Sequence, residues 1–325
     1  MNGKGKILDF SGHDTCGPCL MFRCRTFYEL AVGLIFLTQT VVGILGNFSL
    51  LCHHILLSFT DYRLKSTDFI HKHLIVANFL TLLCNGVPQT MAAFGWKHTL
   101  SHLRCKLLFF LHRVGRGASI GSICILSVYQ AITISPGNAW WAALKVKAPK
   151  YIVPSIFLCW MLQMLVNVIF PMYITSSSSD KNITNVKDFG YCSSVLHDET
   201  RNSLYAALLS FPDVLCLGLM LGASGTMVFI LYRHKQRVQH IRRTASSPES
   251  RAVKTILLLV STFVYFYTLS SVFQVVLAVS DNPNWILINM AAITAACFPA
   301  VSPFLLMRNI KSPHLRRNIS FFHFF

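Results

Sequence analysis

The sequence predicts an all-α membrane protein: a seven-transmembrane helix bundle with its N-terminus outside and its C-terminus cytoplasmic. Three observations lead there. Hydrophobic residues make up 53% of the 325 and charged residues only 13%, with a mean hydropathy of +0.51, whereas a soluble domain is roughly one quarter charged. Seven uncharged or nearly uncharged runs reach the length of about 20 residues that a helix needs to cross a hydrocarbon core. Lys and Arg then sort to one side of those runs.

The runs fall at residues 30–57, 74–95, 103–134, 151–174, 203–232, 255–280 and 283–307. Pro88, Pro154, Pro171, Pro212, Pro299 and Pro303 lie inside or at the ends of these spans, so kinks are expected where a carbonyl loses its donor, and breaks are not. No internal repeat divides the chain, which argues against the duplicated halves of many transporters. One compact unit at 27–310 is expected, flanked by an extracellular tail at 1–26 and a short cytoplasmic tail at 311–325. Residues 1–26 lack the apolar core of a cleavable signal peptide, so the first span is expected to act as the targeting segment.

With the N-terminus outside, the inner segments 58–73, 135–150, 233–254 and 308–325 hold 17 basic residues against only Asp61, Asp68 and Glu249. The outer side is nearly balanced, and the positive-inside rule gives the orientation. The formal charge of +17 thus belongs to topology and to a lipid bilayer as partner. It forms no basic face of the kind that reads nucleic acid, so nucleic acid is not expected.

Cys52, Cys84, Cys124, Cys159, Cys216 and Cys297 lie within spans and read as packed thiols. Cys105, at the outer end of the third span, and Cys192, in the loop after the fourth, both fall on the oxidising side, where a bridge between them is expected. Cys16, Cys19 and Cys24 offer three thiols with no positioned fourth ligand, so no metal is expected. Asn182-Ile183-Thr184 is a glycosylation acceptor in the same outer loop. The matching patterns at Asn47 and Asn318 fall in a span and on the inner side and are not expected to be used.

The third span contains "FFLHRVGRGASIGS", residues 109–122. From Cys105, a rise of about 1.5 Å per residue puts Arg113 roughly 12 Å and Arg116 roughly 16 Å into the bundle. At 100° per residue, His112, Arg113, Arg116 and Ser119 share an arc of about 120° and are expected to face one cavity. A lipid-facing Arg would cost about 2.5–3.5 kcal/mol on insertion scales, so the interior face is expected. Asp213, roughly 15 Å down the fifth span, is level with Arg116 and is its expected partner. Arg113 is then left to give the cavity a positive surplus that binds a sulfate, carboxylate or carbonyl. Guanidinium suits this because its planar donors grip such oxygens in bidentate fashion. Phe263, Tyr265, Phe266 and Tyr267 are candidates for an apolar wall. Gly115, Gly117 and Gly121 read as places where a neighbouring helix comes close.

Beyond these spacings, "HKHLIVANFLTLLCNGVPQTMAAFGWK" at 71–97, "LHRVGRGASIGSICILSVYQAITISP" at 111–136 and "AACFPAVSPFLLM" at 295–307 resemble vomeronasal type 1 receptors, a family of pheromone G-protein-coupled receptors, with similarity from about 27 to 310. The resemblance implies a multi-pass plasma-membrane receptor for a small pheromone-like, steroid-like or anionic ligand, coupled to a heterotrimeric G protein of the inhibitory class. It implies no enzyme and no cofactor. That agrees with the lack of His-Glu-x-x-His, of paired intramembrane carboxylates and of a Ser–His–Asp ordering. Where the wider rhodopsin-like class has an Asp in the second span, this chain has Asn78. Where that class has Asp-Arg-Tyr, this chain has Tyr129-Gln130-Ala131, and Phe298-Pro299-Ala300-Val301-Ser302 stands for Asn-Pro-x-x-Tyr. A sodium site and an ionic lock built on those residues are not expected. The alternatives are a bitter-taste-like chemoreceptor and an anion channel or transporter. On the inner side, Arg233, Lys235, Arg237, Arg242, Arg243 and Lys254 are the expected G-protein contacts.

Overall fold

A computed structural model describes residues 17–60, 66–96, 101–135, 139–168, 174–175, 186–188, 193–195, 199–238, 248–279 and 284–307. Among them, seven helical stretches are long and apolar enough to cross a membrane: Phe27–Leu56, Thr67–Ala93, Leu103–Ile134, Trp141–Asn167, Phe211–Arg233, Val253–Phe273 and Trp285–Met307. The helices that carry them are α1 (Gly17–Thr60), α2 (Ser66–Thr81) with α3 (Val87–Ala93), α4 (His102–Ile134), α5 (Ala139–Asn167), α6 (Glu199–Val238), α7 (Pro248–Val279) and α8 (Trp285–Met307). A helix satisfies its backbone donors and acceptors within itself, which is what a segment without water requires.

Pro88 distorts the second span without breaking it. A π-turn at Leu82–Gly86 joins α2 to α3, and the Val87 N–H bonds the carbonyl of Leu82, five residues back. Pro88 cannot donate to the next carbonyl in an α ladder, and one wide turn absorbs that loss. Gly86 sits in this turn against α1. A Cβ there would come within 2.6 Å of the Thr40 hydroxyl, so the close crossing of α1 requires glycine.

Helix α4 is the centre of the bundle and packs on α2, α5 and α6, whereas α8 packs on α1 and α7. The two groups meet along a seam where α6 and α7 touch each other only sparsely. Leu50, Leu74, Ile120, Ile123, Ile156, Met220 and Phe263 form the main apolar cluster. On the opposite faces, α5 exposes Phe157, Leu158 and Leu165, and α6 exposes Phe211, Val214 and Leu215. Such helices, apolar all round, suit a lipid surround.

A neutral polar contact pins the middle of the bundle. Ser119 on α4 donates to the Asn78 amide oxygen at 2.8 Å, and the Asn78 amide nitrogen donates to Ser302 on α8 at 2.8 Å. Asn47 on α1 donates to the Pro299 carbonyl at 2.9 Å. The contact between the second and seventh spans is therefore made by Ser302, just before Pro303, one turn beyond the Phe298-Pro299 register of the sequence.

Two boundaries differ from the sequence reading. The fourth helix begins at Ala139 and ends at Asn167, although the apolar run suggests 151–174. Lys145 explains the early start, since its ammonium reaches the Ser135 carbonyl beside the end of α4 at 2.7 Å. Beyond the helix, Ile174 belongs to a small antiparallel sheet of order β1-β3-β2, with β1 (Ile174–Thr175), β2 (Val186–Asp188) and β3 (Ser193–Val195). This loop sheet, which touches α4, is the exception to the otherwise helical class.

Candidate functional site

Helix α4 does not present its four candidate residues to one cavity. Ser119 is buried against α2 in the Asn78 contact. His112 also faces α2, its ring beside the backbone of Thr81, while its buried Nδ1 has no hydrogen-bond partner among the described residues. Arg113 turns toward α5, its Nε donating to Asn167 Oδ1 at 2.9 Å. Arg116 points to α7, its guanidinium carbon 4.8 Å from the centre of the Tyr267 ring. The expectation of one shared cavity is thus corrected: an arc of about 120° on a central helix is wide enough to meet three neighbours.

The two arginines are instead joined by a polar chain through α5, α6 and α7. Asn167 donates to the Gln163 carbonyl at 2.8 Å and to its side-chain oxygen at 3.2 Å. The Gln163 side chain in turn lies beside the Asp213 carboxylate. Tyr267 donates its hydroxyl to Asp213 Oδ2 at 3.1 Å while its ring lies under Arg116. Asp213 and Arg116 interact electrostatically, and Tyr267 stands between them, its ring face attracting the cation and its hydroxyl donating to the acid. Gly117 makes room for this chain, because a Cβ there would overlap the Gln163 side chain.

Arg116 lines a small cavity at the seam with Phe263, Phe266, Tyr267, Ser270 and Phe298. Tyr267 stacks on Phe263 at 5.5 Å, and Phe263 meets Phe298 edge-on at 4.8 Å, so aromatic packing against α8 fixes the wall. Tyr265 is 64% exposed and drops out of the expected wall. The space open to the centre of a water molecule is about 30 Å³, enough for one or two waters and far short of an organic ligand. Gln163, Asn167 and Ser270 are not legible as site residues in the sequence, since lone polar residues in a span carry no spacing signal.

Cys105 is disulfide-bonded, whereas Cys52, Cys84, Cys124, Cys159, Cys216 and Cys297 are free. Its expected partner Cys192 lies outside the described residues, as do the acceptor Asn182 and the thiol Cys16; Cys19 and Cys24 lie on α1 with side chains outside the described set. On the other side, Arg233 is exposed with its guanidinium 5.5 Å from the Phe229 ring centre, and Lys254 is exposed on α7. Lys235 and Arg237 lie on α6 with side chains outside the described set, and Arg242 and Arg243 lie outside it altogether.

Residues 30–317 match the model of the vomeronasal organ pheromone receptor family. The chain is 58% identical over 282 residues to vomeronasal type-1 receptor 4 of Homo sapiens, covering 86% of this chain and 93% of that one. It is 54% identical to vomeronasal type-1 receptor 2 of Homo sapiens over 299 residues, 89% of this chain and 76% of the relative. A more distant relative is olfactory receptor class A-like protein 1 of Danio rerio, 30% identical over 278 residues, 85% of this chain and 88% of that protein. These relatives are receptors and not enzymes, and seven spanning helices make the chain a multi-pass membrane protein. With matches covering nearly all of its bundle, the chain belongs to the vomeronasal organ pheromone receptor family.

Proposed function

We propose that this protein is a plasma-membrane chemosensory receptor, N-terminus outside, that binds a small apolar molecule bearing an acidic or strongly polar oxygen group and activates a heterotrimeric G protein of the inhibitory class. One observation carries the ligand reading: Arg116, a cation held inside the bundle, lines the cavity at the seam where the two groups of helices meet. A cation so placed is costly unless it has a use. Arg113, which the sequence favours as the ligand cation, is committed to Asn167, so Arg116 takes that role and Arg113, His112, Ser119 and Asp213 support it. The ligand's acidic group would sit at Arg116, and its apolar body would need the aromatic wall of Phe263, Phe266 and Phe298 to move. Binding can favour a seam-opened state only through higher affinity for it.

The Cys105–Cys192 bridge would hold the outer loop over the bundle, and Asn182 would carry a glycan. Arg233, Lys235, Arg237, Arg242, Arg243 and Lys254 would face the G protein.

The test compares a steroid sulfate with its parent alcohol in reporter cells expressing the full chain or Arg116→Lys. Lysine keeps the charge and loses the bidentate fork, so potency for the sulfate should fall about tenfold while the alcohol is unaffected. Equal potency of sulfate and alcohol at the parent receptor would sink the anion reading. In the same cells, a mobility shift on glycosidase treatment that is lost in Asn182→Gln supports the orientation.

A further inference from the structure

The Arg116 cavity contains a second polar group that the ligand reading does not use. Ser270 on α7 is only 2% exposed, lines the cavity, and its hydroxyl has no hydrogen-bond partner among the described residues. Serines and threonines in the middle of helices usually return their hydroxyl to the carbonyl four residues back. Thr81, Ser127, Thr226 and Thr294 do this here, at 2.7–2.9 Å. Ser270 forgoes that bond, and a buried hydroxyl without a partner is disfavoured.

The remaining chemistry of the cavity selects what would meet it. Arg116 brings a positive charge and N–H donors, Ser270 brings an O–H donor, and the rest of the wall is the aromatic rings of Phe263, Phe266, Tyr267 and Phe298 with Thr294, Ala295 and Pro299. Among the described residues no acidic side chain lines it; Asp213, which interacts with Arg116 and accepts from the Tyr267 hydroxyl, stays outside the lining. A site of low dielectric that offers a cation and donors favours an anion over neutral water. Its size with the wall as it stands, about 30 Å³ of centre-accessible space, suits a monatomic ion better than a sulfate-sized or organic anion. We propose that Arg116 and Ser270 hold a chloride ion here. The proposal shares Arg116 with the ligand reading but rests on the cavity and on Ser270, with no ligand involved.

Thermal unfolding of the purified full chain tests it, in sodium chloride against sodium gluconate at equal ionic strength. The midpoint should rise by about 2–3 °C between chloride-free buffer and about 150 mM chloride, as for a dissociation constant near 10 mM. Bromide should replace chloride and gluconate should not. Ser270→Ala, which removes a hydroxyl with no partner among the described residues and leaves the packing intact, should abolish most of the chloride response. Superimposed curves in chloride and gluconate would overturn the proposal and leave a neutral water as the occupant. An undiminished chloride response in Ser270→Ala would overturn it too, by placing the ion elsewhere. Because no ligand is present, a chloride effect stands even where the sulfate and alcohol prove equipotent, and that pairing sinks only the ligand reading.

Discussion

Two polar regions cross the interior of this bundle, and they are built differently. Around Asn78, short neutral side chains use both ends of one amide, accepting from Ser119 and donating to Ser302 at 2.8 Å each. Around Arg116, two arginines, one carboxylate and neutral polar side chains, from four helices in all, gather beside a cavity, with Ser270 left unbonded among the described residues. A neutral contact whose partners are satisfied fixes helix packing at little cost. A buried charged chain returns less stability than its desolvation costs, so its presence points to use by something outside the chain. The Asn78 contact also shows how this family member does without a second-span acid: the amide donates and accepts, linking three helices where a carboxylate would need a cation.

The comparison is broken most forcefully at Arg116. Arg116→Gln leaves Asp213 without the nearby cation that stabilises it and should cost about 3–5 kcal/mol, seen as a severe loss of receptor at the cell surface. Adding Asp213→Asn to the same chain should restore part of it, because the carboxylate no longer lacks Arg116, although Arg113 loses an electrostatic partner. If the double variant is as depleted as the single, Arg116 and Asp213 do not act as a pair through Tyr267.

A smaller effect is expected in the neutral region. Asn78→Ala removes two interhelical hydrogen bonds and should destabilise by about 1–3 kcal/mol, read as a lower unfolding midpoint in detergent. Molecules that reach the surface should respond to ligand with unchanged potency. A selective loss of potency there would erase the distinction between the two regions.

The smallest effect belongs to the far end of the charged chain. Asn167→Ala should cost about 0.5–1.5 kcal/mol. A double-mutant cycle with Arg113→Gln should show coupling of similar size, since the two side chains share one bond. Purely additive losses would mean that Arg113 is held by its other contacts and that Asn167 contributes nothing to it.

Much of this architecture is legible along the chain. The spans emerge because the hydrocarbon thickness sets a length and demands apolar side chains over it, a one-dimensional constraint. The third span matches the structure to the residue, and Pro88 marks the distorted turn of the second. The fourth span is misjudged because Lys145 and Lys147 look like a loop to any hydropathy reading, although a lysine on the first turns of a helix can reach out to a neighbouring helix end. The sheet at 174–195 has strands of two and three residues, too short for an alternating pattern.

Sequence alone determined that two guanidinium groups and one carboxylate lie at similar depth in a seven-helix membrane receptor, because rise per residue converts position into depth. Which of them meet was decided only by the tertiary structure. Helical periodicity gives each side chain a direction but not the neighbour standing in that direction. His112 and Ser119 met α2, Arg113 met Asn167 on α5, and Arg116 met Tyr267 on α7. The roles of the two arginines accordingly exchanged: the residue expected to be tied became the one that lines the cavity, because helix packing places Tyr267 on α7 against Arg116 and Asn167 on α5 against Arg113.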